Sequence, residues 1–299
     1  MTFSLEETIR SAIKRLSAER DVASNDLWQH LAMERLLNRM AKSPYAKHFV
    51  LKGGFLLMKY ADFKRETRDL DFLVRKFKNN AKTLKLAFEK ISSIDLNDGF
   101  IFSNVSSILL SHPHMPYTGA RITMIAHFEK SQIRLQIDLG FGDHVKPIPK
   151  VLSLISIAHY EKSISLLCYP LEFIFAEKLE SIFSRGGVNT RMKDFFDIYS
   201  LIFQKNLLNI YLLKEIIPTV FSHRKTALQF PLKFKKKDIE QFQKHWSKFL
   251  QTLRVSKSRD QIPSKIEHLI HSVNLWLLEH FSQYNSLQSR SKTCKITSP

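Results

Sequence analysis

Residues 49–75 constrain the fold of this chain more than any other stretch. The segment begins with the apolar run FVL, continues into the glycine pair Gly53-Gly54, and ends in the alternating sequence DLDFLV. This order predicts a strand, a tight turn, a helix and a second strand. Because side chains alternate along a strand, Asp69 and Asp71 are expected to share one face of the second strand.

The paired aspartates indicate a metal site. Two carboxylates side by side repel each other unless a cation lies between them, and hard oxygen ligands suit Mg²⁺. Leu70 and Phe72 occupy the alternate positions of this strand and are expected to face a core. The aspartate pair taken alone also fits a surface strand edge that has no chemical role.

The glycine pair is the second half of the pattern. Gly53 and Gly54 permit positive φ and let another group approach the backbone closely. Backbone N–H groups at the start of a helix form a cradle for phosphate. A plain turn would also explain the pair. A phosphate cradle followed by an aspartate pair is the combination that nucleotidyl transfer requires, so the two features together favour a catalytic site.

Four blocks of the sequence resemble a known family. The order of a glycine pair, a helix-length spacer and an Asp-x-Asp pair resembles the signature of the polymerase-β-like nucleotidyltransferases. Within that superfamily, the sequences LKGG at 51–54 and TRDLDF at 67–72 are similar to the AbiEii branch. Two later blocks also resemble this branch: IDLGFGDHVKP from Ile137, and AEKL followed by NTRMKDFFDI within 176–198. The branch contains toxins of type IV toxin–antitoxin and abortive-infection systems. Phe55 departs from the pattern, since relatives usually have a small or hydroxyl residue there.

The resemblance implies a set of site residues. Asp69, Asp71 and Asp138 are the expected Mg²⁺ ligands, and Asp138 alternates with apolar neighbours on a predicted strand. Lys178 and Asp194 complete the expected catalytic set, with Lys178 as a phosphate ligand. A lysine that lies along the surface of its helix would explain Lys178 equally well from the residues alone.

Further nucleotide contacts are expected from the same blocks. The expected nucleotide-binding residues are Lys52, Gly53, Gly54, Lys178, Arg191 and Asp197. Asp194 and Asp197 are three positions apart on one helix face. The sequence leaves open which of these two is the functional acid.

Charge and composition favour an anionic partner. The chain has 46 Lys and Arg against 28 Asp and Glu, a net charge of +18, which favours RNA as a partner. A lysine cluster is formed by Lys233, Lys235, Lys236 and Lys237, with Phe230 just before it and Phe234 within it. This cluster fits either a nucleic-acid surface or a solvated helix start. Two cysteines and a charged amphipathic N-terminus predict a cytoplasmic protein without a membrane anchor.

The expected fold class is α+β. A nucleotidyltransferase-like mixed sheet flanked by helices is expected over 1–147, followed by a helical domain over 148–284 that contributes to the active-site cleft, and a flexible tail over 285–299. Pro147 and Pro149 mark the expected boundary, after which helical periodicity takes over.

These observations predict a Mg²⁺-dependent nucleotidyltransferase toxin. By resemblance it transfers nucleotides from an NTP to RNA, at the 3′ end of a tRNA, and so blocks translation. The expected partners are an NTP, the acceptor end of a tRNA and a cognate antitoxin. Three alternatives stay open from the residues: transfer to a protein side chain, a nuclease, or a basic RNA-binding protein without enzymatic activity.

Overall fold

The computed structural model describes residues 4–61, 67–110, 118–142, 149–157, 163–205, 207–253 and 262–281. The tail expected at 285–299 lies outside the described residues. The chain divides into two compact units, Met1–Pro170 and Leu171–Pro299.

The first unit contains a mixed sheet. Its seven strands are β1 Phe49–Lys52, β2 Asp69–Val74, β3 Phe100–Leu110, β4 Gly119–Phe128, β5 Ser131–Phe141, β6 Lys150–Leu154 and β7 Ile164–Cys168. Their order in the sheet is β3-β4-β5-β2-β1-β7-β6. The pairs β2–β5 and β1–β7 are parallel, and the remaining neighbours are antiparallel. The predicted mixed sheet is therefore confirmed.

The described part of the first unit also contains four α-helices. They are α1 Leu5–Arg20, α2 Ser24–Lys42, α3 Gly53–Ala61 and α4 Ala81–Ser92. Helix α2 packs against β5 and β7, and α4 packs against β3 and β4. Along most of β4 and β5, every second residue is apolar and faces the helices, and Ile122, Met124 and Leu135 are examples that are fully buried. Burial of this apolar row stabilises the sheet, because it removes hydrocarbon surface from water.

A buried ion pair fixes α2 to the loop before β3. Arg39 donates to both carboxylate oxygens of Asp98 at 2.7 and 2.8 Å, and to the backbone carbonyl of Phe100 at 2.8 Å. Both side chains are almost completely buried, at 1% and 2% exposure. Such a pair tolerates the loss of one partner poorly, because the remaining charge stays buried without compensation.

The second unit is helical. Its helices are α5 Leu171–Arg185, α6 Met192–Ser200, α7 Ile210–His223, α8 Lys236–Thr252 and α9 Ile266–Phe281. The core is rich in aromatic rings, among them Phe195, Phe221, Phe242 and Trp246. The Trp246 indole N–H donates to the Pro263 carbonyl at 3.0 Å, so its polar atom is satisfied within the core.

One sequence expectation about this region is wrong. Helical periodicity was expected to take over after Pro147, but the strands β6 Lys150–Leu154 and β7 Ile164–Cys168 follow it. The two strands have five residues each. A run of five residues is too short for its periodicity to distinguish a strand from a helix. The conformation of β7 depends on its pairing with β1, which is distant in the sequence. None of the described helices is long and apolar enough to cross a membrane.

Loss of the Asp98 carboxylate is expected to destabilise the first unit strongly. Asp98→Ala leaves the Arg39 guanidinium buried without its counter-ion and should lower the free energy of unfolding by about 3–5 kcal/mol. Urea denaturation measures this change. The control is Glu89→Ala, which removes an exposed pair with Lys85 and should cost no more than about 1 kcal/mol. Equal losses in the two variants would contradict the assigned role of the buried pair.

Candidate active site

Four charged residues form a row across four neighbouring strands. Lys52 of β1 lies opposite Asp71 of β2, Asp71 lies opposite Asp138 of β5, and Asp138 lies opposite Arg121 of β4. Residues directly opposite in a sheet point to the same face. The order along this charged row is cation, acid, acid, cation.

Asp69, Asp71 and Asp138 form a carboxylate triad on that face. One oxygen from each carboxylate lies within 4.8 Å of the others, and all three side chains are half-buried. The parallel pairing of β2 with β5 creates this cluster, since it aligns Asp71 with Asp138. Three carboxylates that converge on a small volume form a donor set that fits Mg²⁺, a hard cation that prefers oxygen ligands. Leu70 and Phe72 are fully buried on the other side, as their alternation predicts.

Arg121 was not identified from the sequence as a site residue. Its guanidinium donates to both oxygens of Asp138, at 2.7 and 3.0 Å. The hydrogen bond to Asp138 raises the pKa of Arg121, and the negative charges of Asp69 and Asp71 raise it further. The alternation of polar and apolar residues in β4 places Arg121 on the same side as Thr123. Only the pairing of β4 with β5 shows that Arg121 faces an acid.

Gly53 is required where it stands. It has a φ of +71°, and a Cβ built on it would lie 2.0 Å from Oδ2 of Asp71. Any larger residue would therefore displace a carboxylate of the triad. Gly53 and Gly54 begin α3, so their N–H groups lie at the positive end of that helix dipole. The side chain of Phe55, the departure from the family pattern, is completely buried and forms an edge contact with His30.

Lys52 flanks the triad on the β1 side. Its ammonium lies 5.2 Å from the centre of the Tyr169 ring. It also lies 3.7 Å from the position that a Cβ on Gly140 of β5 would take. The lysine side chain therefore extends over the sheet towards β5, on the face that carries the acids.

Helix α2 holds the start of β2 in place. The Thr67 hydroxyl donates to Asp69 at 3.0 Å, and His30 Nε2 bonds the Thr67 carbonyl at 3.2 Å. A carbonyl only accepts, so Nε2 carries the proton. Burial lowers the pKa of His30, and the Lys59 cation lowers it further, so the ring is neutral at pH 7. Gln29 adds hydrogen bonds to the carbonyls of Arg68 and Arg134. These supports join residues that are distant along the chain, so no local sequence pattern predicts them.

The second unit contains an ion cluster of its own. Lys178 of α5 lies 2.8 Å from Asp194 and 2.8 Å from Asp197 of α6, and both acids are at most 1% exposed. Arg191 is half exposed and pairs with the other oxygen of Asp194 at 2.8 Å. The predicted sharing of one helix face by the two aspartates is therefore observed, and the charge on Lys178 has the partners that its apolar surroundings require.

The lysine cluster does not combine with aromatic rings in the way the sequence suggested. Lys233, Lys235, Lys236 and Lys237 are all exposed. Phe230 is buried at 3% exposure and contacts Phe183 and Phe281, and Phe234 packs against Phe195 and Phe242. Phe230 therefore belongs to the core of the second unit, and Phe234, which is half-buried, packs against core rings.

The acidic triad is consistent with a metal-dependent nucleotidyltransferase, and comparison with known proteins gives the family of the chain. A family model described as "Nucleotidyl transferase AbiEii toxin, Type IV TA system" matches residues 35–268. The match covers most of the chain, which therefore belongs to the AbiEii family of nucleotidyltransferase toxins of type IV toxin–antitoxin systems.

Two solved structures have a similar fold. A candidate nucleotidyltransferase from Helicobacter pylori is 17% identical, with a TM-score of 0.52, and the alignment covers 89% of this chain and 99% of that one. MenT4, a nucleotidyltransferase toxin from Mycobacterium tuberculosis H37Rv, is 15% identical, with a TM-score of 0.50, and the alignment covers 91% and 100% of the two chains. Identities this low show a shared fold. Curated protein sequences contain no match to this chain.

A methyl group at position 53 is expected to disrupt the triad. Gly53→Ala and the control Gly186→Ala both place an L-residue at positive φ, which costs about 1–2 kcal/mol. Gly186 has open space around its would-be Cβ, whereas Gly53 has Asp71 at 2.0 Å. Gly53→Ala should therefore also weaken binding of Mg²⁺ or Mn²⁺, measured by calorimetry, while Gly186→Ala should bind as the wild type does. Unchanged metal binding in Gly53→Ala would contradict the close contact.

Proposed function

We propose that this toxin transfers a nucleotide from an NTP to an RNA acceptor, in a reaction that requires Mg²⁺ at the carboxylate triad. The observation that carries the proposal is the convergence of Asp69, Asp71 and Asp138 within 4.8 Å, directly beside the glycine turn at Gly53. By resemblance the acceptor is the 3′ end of a tRNA, its modification blocks translation in the cytoplasm, and a cognate antitoxin neutralises the toxin.

The residues of the first unit divide the binding tasks. Asp69, Asp71 and Asp138 would hold Mg²⁺, which when bound neutralises phosphate charge and aligns the reacting oxygens. The backbone N–H groups of Gly53 and Gly54 would bind the phosphates of the NTP. Lys52, which lies next to this turn, supplies a positive charge on the same side of the triad.

The chemical step is an in-line displacement at phosphorus. A hydroxyl oxygen of the acceptor forms a bond to the α-phosphorus, and the bond from that phosphorus to the bridging oxygen breaks. Pyrophosphate leaves with the electron pair of the broken bond, and the hydroxyl proton passes to solvent. The protein contributes position and charge compensation, because phosphoryl transfer needs little covalent help.

The residues of the second unit are assigned roles in nucleotide binding by resemblance. Lys178 is proposed to contact the phosphates, and Arg191 to contact the nucleotide. Asp194 and Asp197 hold Lys178 at 2.8 Å each, and Asp194 is the proposed functional acid because it also pairs with Arg191. A lysine ammonium is a compact point charge that suits a triphosphate.

The proposed reaction is tested by incubating the protein with total RNA and each labelled NTP, with and without Mg²⁺. Label should enter RNA in the presence of Mg²⁺ and should not enter when the metal is chelated. Label in the protein fraction would favour modification of a protein side chain. RNA fragments without label would indicate a nuclease.

Removal of one triad charge should abolish transfer without unfolding the protein. Asp71→Asn keeps the shape of the side chain and lowers the repulsion among the carboxylates, so the urea midpoint should not fall while transfer to RNA drops below detection. The control is Asp95→Asn, an exposed acid of the same unit, which should retain wild-type activity. Full activity in Asp71→Asn would remove the basis of the proposal.

Substitution of Lys178 should weaken the affinity for NTP. A charge-assisted hydrogen bond to phosphate is worth about 1.5–3 kcal/mol, so Lys178→Ala should raise the Kd for NTP by about tenfold or more. Because this change also leaves two buried acids without their cation, the triple variant Lys178→Met/Asp194→Asn/Asp197→Asn serves as the control for stability. Wild-type affinity in the triple variant would show that Lys178 only supports the helical unit.

A further inference from the structure

On strands β3, β4 and β5, the described helices of the first unit cover one face of the sheet and leave the other face uncovered. Helices α2 and α4 pack on the face of β3, β4 and β5 that carries Ile122, Met124 and Leu135. The opposite face, which we call the open face, is the one on which Arg121 and Asp138 lie. Its side chains are half-buried or exposed, and Ser106, Ile108 and Arg134 are exposed.

The strand register makes the open face continuous with the triad. Asp69 lies opposite Gln136 of β5, Gln136 lies opposite Thr123 of β4, and Thr123 lies opposite Ser106 of β3. Arg134, two residues before Gln136 on β5, lies opposite Ile125 of β4. Successive rows of this kind are about 7 Å apart, since a strand rises about 3.4 Å per residue. A polymer on the open face can therefore reach the triad without leaving the sheet.

The chemistry of the open face suits a polyanion. Asp138 is the only acid at the open-face positions of β3, β4 and β5, and it is already paired with Arg121. The guanidinium of Arg134 is exposed and makes no ion pair among the described residues. Ile125 lies directly opposite Arg134, and the next row of the face carries Gln136, Thr123 and Ser106, the last two with their hydroxyl oxygens 2.7 Å apart. Arginine, serine, threonine and glutamine are the side chains that commonly contact phosphate and sugar.

The direction of the reaction points to the same face. The proposed phosphate contacts, Lys52 and Gly53, lie on the β1 side of Asp71. In an in-line displacement the attacking and leaving oxygens are on opposite sides of the phosphorus. If pyrophosphate leaves towards β1, the acceptor hydroxyl approaches from the side of Asp138 and Arg121, which is the side of β4 and β3.

We propose that the open face of β3, β4 and β5 holds the RNA acceptor by its sugar-phosphate backbone, with Arg134 as a phosphate contact. This inference rests on the proposed function and names the surface that its acceptor occupies. The open-face positions of these strands carry no Phe, Tyr or Trp, and their one aromatic ring, that of His127, is bonded to the Ser103 hydroxyl at 2.7 Å. Hydroxyl and amide groups of this face can contact phosphate, sugar and the 2′-hydroxyl, none of which differs between bases, so we expect binding to be tolerant of sequence and tighter for RNA than for DNA.

The test compares arginines on the two sides of the first unit. Arg134→Ala should raise the Kd for an unmodified tRNA transcript by about tenfold, and should lower the slope of log K against log salt by about one. The control is Arg15→Ala, which removes an exposed arginine of α1 and should leave both quantities at their wild-type values. NTP affinity, measured without RNA, should be the same in both variants.

A second pair of variants tests the face by adding a negative charge to it. Ser106→Glu adds a negative charge to the open face and should weaken binding of the transcript, whereas Ser11→Glu adds the same charge to α1 and should not. Both serines are exposed, so each variant should fold. A DNA oligonucleotide of the same sequence should bind more weakly than the RNA.

The outcomes separate this inference from the proposed function. Equal RNA affinity in the Arg134 and Arg15 variants, or a loss of affinity confined to Lys236→Ala/Lys237→Ala, would overturn the inference while wild-type transfer to RNA continued. Absence of transfer to RNA by the wild type would overturn the proposed function, and this result is read from the label and not from the binding measurements.

Discussion

The register of four strands is the constraint on which the candidate site depends. Pairing of β1 with β2, of β2 with β5 and of β5 with β4 brings Lys52, Asp71, Asp138 and Arg121 into one row. Two acids lie between two cations, so the repulsion between the carboxylates is balanced at both ends. If one strand slipped by one residue in any of these pairs, its charged side chain would turn to the buried face, because side chains alternate with a period of two.

Support for this register comes from the helix-covered side of the sheet. The Arg39–Asp98 pair fixes α2 to the entry of β3, while His30 and Gln29 of the same helix bind the backbone that leads into β2. Helix α2 is thus bound to the entry of β3, at one edge of the sheet, and to the entry of β2, which carries two acids of the triad. Polar groups placed in this way limit the freedom of the strands to shift, because each shift would leave a buried donor or acceptor unpaired.

Much of this architecture could be predicted from the sequence, and the limits have physical causes. The strands around Asp69, Asp71 and Asp138 were predicted because their alternation is local, and the family was recognised because its blocks keep their order. Arg121 and Thr67 were missed as site residues, since their contacts arise from pairing between distant segments. Strand β6 and the first residues of β7 were missed for a related reason: both strands are short, and β7 is fixed by its pairing with β1. The aromatic rings at Phe230 and Phe234 were placed on a surface, whereas packing with other rings buries them or draws them to the core.

The contact between Gly53 and Asp71 makes two positions of the chain depend on each other. A Cβ at position 53 would occupy the space that the Asp71 carboxylate fills, at 2.0 Å from its oxygen. If position 53 were randomised and active variants were selected, only glycine should therefore be recovered as long as the Asp71 side chain extends towards position 53. A change at either position restricts what the other can become, so a variant that abandons the glycine must abandon the acid as well.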